Sequence, residues 1–501
     1  MELPLTPLDF LARARRLFPE RVGILDGDEG WTYRAFAERC DRLAHALRGE
    51  LGLTPGQVVA WLCGNTHELL EAYFGVLLAG GVLLPLNIRL APGELRAILD
   101  DSDAAVLFRH PDQVDPAHPV RTVVLGDEHE TLLARQPAGP PPVPAVDEHS
   151  AAELFYTSGS TGPPKGALLS HRGLYLHAVH SALTMGIRGD DVVLHTIPLF
   201  HVNGWGTPHY VTGLGGVHVM LPHFEAGEVL RRIEAHGVTR LFLVPAMARL
   251  VLDHPTLDER DLSSVVQISV GGAPSTPALL AELEASFRCE TICGYGMTES
   301  SPTLTRSLPK PGVATSLEQR ATTGLPIVGV DARVLGTGDV EVPWDGATVG
   351  EVCARSNHVM IGYLGHPEAT EEVLRGGWLR TGDLAVVDGD GYLTIVDRAK
   401  DLIVSGGENI ASVEVEHALA AHPSVREAAV VAVPDERWGE VPRAFVSLIE
   451  GAAVDEAELT AWVGARLAGF KVPRSIVILD ELPKGGTGKI QKSALRNICG
   501  P

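Results

Sequence analysis

Aromatic residues make up only 5% of the 501-residue chain, and its cysteines number six: Cys40, Cys63, Cys289, Cys293, Cys353 and Cys499. Thiols scattered so thinly are not a disulfide framework. Cys289 and Cys293 stand four apart, but no second Cys/His pair follows at zinc-site spacing, which argues against a structural zinc. No Asn-x-Ser/Thr acceptor occurs. The most apolar stretch, Tyr73 to Leu86, covers 14 residues and is broken by Gly80, Gly81 and Pro85; a membrane span needs ~20. Met1 to Pro19 carries Arg13, Arg15 and Arg16 without a continuous apolar core, so it does not read as a signal peptide. Positive charge is also scarce: 41 Lys+Arg against 63 Asp+Glu leave −22 with His neutral. Such a surface repels a phosphate backbone and excludes broad nucleic-acid binding. Small anions remain possible in an N–H-lined pocket. The expectation is a cytoplasmic protein with small-molecule partners; its oligomeric state, a homodimer included, is left open.

What is present is an ordinary globular composition, 45% hydrophobic and 21% charged. The length suggests about three structural units with cores large enough to need no staple. In the first ~140 residues helical and strand patterns alternate. Ala35–Leu47 reads as an amphipathic helix, Val58–Leu62 as a buried strand and His67–Ala79 as a helix. Alternation of this kind implies parallel pairing in an α/β core. Pro137–Pro144 looks like a surface linker. From about Gly324 the segments become short and strand-like, with a hairpin turn at Asp388-Gly389-Asp390-Gly391. The last hundred residues show a compact α+β pattern.

The densest chemical signal is Tyr156-Thr157-Ser158-Gly159-Ser160-Thr161-Gly162-Pro163-Pro164-Lys165-Gly166. Glycine brings backbone N–H groups close to an anion, Ser and Thr add hydroxyl donors, and Lys adds a point charge. It is not a P-loop, because Gly159 and Gly162 are three apart and Gly follows Lys165. Strand-like Leu154–Tyr156 before it and Ala167–Leu169 after it make a phosphate cradle between strands.

With this loop the sequence resembles the adenylate-forming superfamily of acyl- and aryl-CoA synthetases, peptide-synthetase adenylation domains and luciferases. The resemblance runs from about Trp31 to Lys492, with the motifs in the family's order. It implies a large N-terminal α/β domain with a distorted β-barrel subdomain (residues 1–397), a hinge at 398–400 pivoting on Lys400, and a small mobile α+β C-terminal domain (401–501). The loop from Thr157 to Lys165 would hold the ATP phosphates. Gly294-Tyr295-Gly296-Met297-Thr298-Glu299 matches the adenine and phosphate segment: Tyr295 on adenine, Thr298 at the α-phosphate, and Glu299 with Thr161 on Mg²⁺. Gly271-Gly272-Ala273-Pro274 would lie beside adenine and the acyl pocket. Asp383 would bind the ribose hydroxyls, with Arg398 near ribose and phosphate. Lys489, in Pro483-Lys484-Gly485-Gly486-Thr487-Gly488-Lys489, would be the adenylation lysine. His201, in Pro198-Leu199-Phe200-His201, would line the site, and Trp205 would gate the acyl tunnel. Ser405, Gly406, Gly407, Glu408, Trp438, Phe470 and Arg474 would form the CoA path.

The chemistry implied is two steps at one site, using ATP, Mg²⁺ and CoA. The acid's carboxylate attacks the α-phosphorus, pyrophosphate leaves, and a thiolate then displaces AMP. Charge neutralisation is the main catalytic demand. The leading reading is an acid–CoA ligase for a medium- or long-chain fatty acid or an apolar aryl acid. One alternative is an acyl- or aryl-AMP ligase serving a carrier protein or an amine. A catalytically inactive regulatory binding protein of the same fold is a third. Around His201–Trp205 and Gly271–Pro274 no basic residue stands out to bind a second carboxylate on the substrate.

Overall fold

The computed structural model describes residues 3–142, 145–157, 164–406, 408–449, 451–484 and 490–498. They fall into two compact units, residues 1–332 with 354–379, and residues 333–353 with 380–501.

The first unit holds two sheets. In one, Val58–Leu62 pairs in parallel with Val82–Pro85 and Val106–Arg109, and Ala151–Thr157 turns back antiparallel onto Lys165–Ser170. In the other, Val192–Leu194, Arg240–Leu243, Gln267–Gly271 and Glu290–Gly296 run parallel, and Thr303–Arg306 closes antiparallel. Parallel strands buried on both faces explain why Val58–Leu62 is apolar at every position. The helices Tyr33–Arg48 and His67–Leu78 share one core with side chains of both sheets, including Trp61, Phe108, Phe242 and Ile292. His67–Leu78 is buried nearly all round, and its two acidic residues, Glu68 and Glu71, are buried with its apolar ones. Among the described residues no helix is long and apolar enough to cross a membrane.

Val330–Leu335, Gly350–Ser356, Leu379–Val387 and Leu393–Arg398, most of whose residues fall in the second unit, form a four-stranded sheet in the region expected to be a distorted barrel. The turn at 388–391 joins its last two strands. Further on, Val425–Asp435 pairs antiparallel with Gly439–Leu448, and Ser475–Ile478 adds in parallel. Alternation sorts their side chains: Val430 faces the core of helix Ser412–Ala420, while Ala429 and Val431 face Leu482 and Leu495. The sequence boundary at 398–400 and the packing boundary at Arg380 differ, because Asp397 in the four-stranded sheet accepts the backbone N–H of Ser412.

Candidate active site

The glycine-rich segment is carried on a hairpin. Thr157 ends one strand, Lys165 begins the next, and the two are register partners, the Thr157 hydroxyl lying 3.4 Å from the Lys165 carbonyl. Ser158, Gly159, Ser160, Thr161 and Gly162 lie outside the described residues. The Lys165 ammonium stands 5.5 Å from the ring centroid of Tyr363, within cation–π range. Tyr363 in turn donates its hydroxyl to Glu299 Oε1 at 2.6 Å. Burial, and then the Glu299 charge, push the Tyr363 phenol well above its usual range, so it stays a donor. Tyr363 is placed there by the short strand Gly362–Tyr363, which pairs with Ala167 and Leu168. Lys165 and Glu299, 134 residues apart, are thereby linked through a tyrosine that the sequence reading missed.

Glu299 sits in a tight turn, Thr298–Ser300, and is 6% exposed. Its carbonyl accepts from Met360 N at 2.8 Å. The preceding Gly296 admits no side chain, since a Cβ there would lie 1.9 Å from the Pro302 carbonyl oxygen. That close approach fixes the turn following the Gly294–Gly296 strand end. A buried carboxylate with one oxygen held by Tyr363 is a hard donor of the kind Mg²⁺ selects. Tyr295 is half-buried in the strand before this turn, and Ala273 and Pro274 are exposed on the loop after Gly272, whose φ is +78°.

His201 precedes an unusual segment. Val202, Asn203, Gly204, Trp205 and Gly206 all have positive φ, at 35°, 46°, 52°, 65° and 85°. Such a turn costs ~1–2 kcal/mol for each residue with a Cβ, and its neighbours hold it. Asn203 donates to buried Glu153 at 3.0 Å, and Thr207 donates to the Gly204 carbonyl at 3.0 Å. The result lays the Trp205 indole over the strand ends. A Cβ on Gly271 would come within 3.0 Å of it, and the Phe242 ring meets it edge-on at 6.1 Å. His201 is half-buried at the entrance to this turn.

Arg306 is a second residue that the sequence reading did not single out, a basic group close to Trp205. Opposite Gly294 in the sheet, its side chain packs on that glycine, where a Cβ would lie 2.7 Å from Nη1, and it reaches 5.8 Å from the Trp205 centroid. The only sequence signal is an arginine ending the otherwise uncharged strand Thr303–Arg306; its burial depends on tertiary pairing.

In the second unit Asp383 is register partner of Arg398, whose Nε lies 3.1 Å from Asp383 Oδ1. Arg398 is 53% exposed, so the ion pair is screened. Lys400 is exposed. Gly406 and Trp438 are brought together: Gly406 N donates to the Trp438 carbonyl at 2.8 Å, and a Cβ on Gly406 would meet the indole at 2.6 Å. Ser405 is buried and Glu408 exposed on the adjoining strands. Phe470 is exposed beside Lys471, and Arg474 lines an open hollow with Asp455 and Glu456. Gly407 and Lys489 lie outside the described residues.

The family model for AMP-binding enzymes matches residues 11–364, and the model for the AMP-binding enzyme C-terminal domain matches residues 414–489. The chain belongs to the AMP-binding enzyme family, and it is an acid–thiol ligase. It is 40% identical to a feruloyl-CoA synthase of Amycolatopsis sp. over 497 residues, 97% of this chain and 98% of that one. A peroxisomal butyrate–CoA ligase of Arabidopsis thaliana is 36% identical, with 99% of this chain and 93% of that one covered. Among solved structures, o-succinylbenzoate CoA synthetase of Bacillus subtilis in complex with its acyl-adenylate intermediate superposes with a TM-score of 0.88 at 31% identity, covering 100% and 99% of the two chains.

Proposed function

We propose that the protein activates an aromatic carboxylic acid of the phenylpropanoid or benzoate type, through an acyl-AMP, to its CoA thioester. The observation that carries the aromatic preference is the 40% identity to a feruloyl-CoA synthase over 97% of this chain. The Trp205 indole packed on Gly271, edge-on to Phe242, offers an aromatic surface in keeping with that class.

The enzyme is an acid–CoA ligase that uses ATP, Mg²⁺ and CoA. In this reading Lys165 and the loop before it hold the terminal phosphates, and Thr298 contacts the α-phosphate. Glu299, oriented by Tyr363, would hold Mg²⁺, which would offset the charge of the triphosphate. Asp383 accepts from both ribose hydroxyls, with Arg398 beside it, and Tyr295 covers adenine. Lys489 neutralises charge as the carboxylate oxygen attacks the α-phosphorus and pyrophosphate departs. Residues 398–400, with Lys400 as pivot, let the C-terminal residues exchange Lys489 for the Gly406–Glu408 strip. The CoA thiolate then attacks the acyl carbon and AMP leaves. His201 lines the acyl site, Trp205 gates it, and Trp438, Phe470 and Arg474 contact CoA.

The test is pyrophosphate release across cinnamates, benzoates, octanoate and acetate, with and without CoA. Aromatic acids should lead by kcat/KM, and AMP should appear stoichiometrically with thioester. A lead by octanoate or acetate would refute the aromatic assignment.

A further inference from the structure

Beside Trp205 lies a buried cation that, among the described residues, has no counter-charge. Arg306 is 3% exposed, and its Nε is buried with no hydrogen-bond partner. Among the described residues no carboxylate pairs with its guanidinium. The titratable groups that act on it are the Tyr210 phenol and the Cys293 thiol, which burial keeps protonated and uncharged at neutral pH, and burial draws the Arg306 pKa below the ordinary arginine value. Tyr210, 2% exposed, also has a buried hydroxyl with no partner. His177 Nδ1, against Gly206 in the same wall, is a third orphaned polar atom.

Buried polar atoms are almost always satisfied, and an unpaired buried charge costs several kcal/mol. A water molecule could meet one N–H but would leave the charge in place. Aspect and distance then narrow the partner. Arg306 is register partner of Gly294, two residues back along the strand from Gly296 and the turn carrying Thr298 and Glu299. At ~3.3 Å per residue, that sets it back by ~7 Å, about the length of an aromatic ring. In the ligase reading the carboxyl reacts at the Thr298–Glu299 turn beyond Gly296, which puts Arg306 toward the other end of an aryl acid.

We propose that Arg306, with the Tyr210 hydroxyl, forms a subsite for an electron-rich oxygen at the end of the acid remote from the reacting carboxyl. This rests on the ligase reading above and narrows it from aromatic acids to oxygen-bearing ones. The oxygen can belong to a phenol or to a second carboxylate, and the two sources are separable.

The experiment measures kcat/KM for 4-hydroxycinnamate and 4-hydroxybenzoate (phenol oxygen), terephthalate (second carboxylate), and cinnamate and benzoate (neither). Wild type, Arg306→Leu, Arg306→Lys and Tyr210→Phe are compared. The wild type should favour one oxygen-bearing arm by ~10²-fold or more, because a site built around polar groups rejects analogues that leave them unpaired. Arg306→Leu should erase or invert that preference, read as the ratio of kcat/KM between the oxygen-bearing acids and cinnamate or benzoate. Arg306→Lys should keep part of it. Leucine removes an unpaired buried charge, so the fold should be no less stable, and the thermal midpoint checks this. An equal loss for every acid in Arg306→Leu, or a wild type that does not distinguish the arms, overturns the subsite and leaves the ligase reading standing. Absence of any acid-dependent turnover would instead fell the ligase reading. The subsite would then be judged by tryptophan quenching: quenching by oxygen-bearing acids that is lost in Arg306→Leu supports it, and equal quenching overturns it.

Discussion

Trp205 offers a test in which stability and specificity must move in a particular pattern. It is 8% exposed and held at φ 65°, ψ 31° inside a left-handed turn. Truncating a buried Trp costs ~3–5 kcal/mol, a loss that a domain of ordinary stability survives. At most positions Ala would be the more stable replacement, by ~1 kcal/mol over Gly in a helix. Here the order should reverse. Ala retains the ~1–2 kcal/mol left-handed penalty, whereas Gly escapes it at an entropic cost of ~0.5–1 kcal/mol. The net is ~0.5–1 kcal/mol in favour of Trp205→Gly, a factor of ~2–5 in the unfolding equilibrium. Urea denaturation of both variants reads it from midpoints at equal slope. The two variants should nevertheless share one acid profile, broadened toward bulkier rings, because neither covers Gly271. If Trp205→Ala proves the more stable, the left-handed turn is not what holds the indole. If the broadened range appears in only one variant, the side chain is not the gate.

Tyr363→Phe should slow acyl-AMP formation by ~10- to 100-fold, the equivalent of one hydrogen bond to a charged group; thioester formation from supplied acyl-AMP should change little. Pyrophosphate exchange at several Mg²⁺ concentrations measures this, and a change below twofold would remove Tyr363 from the site. Lys489→Ala should nearly abolish the first half-reaction and spare the second, while Gly407→Leu should do the reverse; equal losses in both steps for Lys489→Ala would end the domain-exchange account. Burial pushes His195 down to about 3 and His171 and His358 down to about 4, from 6.5. The unfolded chain therefore takes up protons that the folded chain refuses. Stability from these groups is complete above pH ~6.5 and is lost as pH falls toward 4, at up to ~1.4 kcal/mol per unit for each. Urea midpoints that stay level from pH 7.5 to 5 would contradict it.

Local patterning determined much of this protein. The buried run Val58–Leu62, the apolar helix from His67, the strands flanking residues 158–163 and the turn at 388–391 are all legible because periodicity and turn chemistry act within a few residues. Motif order sufficed to place Glu299, Asp383 and Arg398 among the candidates, since the residue types needed to hold phosphate, metal and ribose are few. Tertiary structure alone decided which side chains meet. Tyr363 reaches Glu299 because a two-residue strand happens to pair with Ala167–Leu168. Trp205 lies on Gly271 because Glu153, fifty residues earlier, holds Asn203 and with it a backbone that local propensity disfavours. Nothing in the sequence singles out Arg306; its strand pairs with Gly294, where the missing Cβ makes room for the guanidinium, and the surrounding core buries it. Burial is a property of the assembled layers, and no single segment of the sequence carries it.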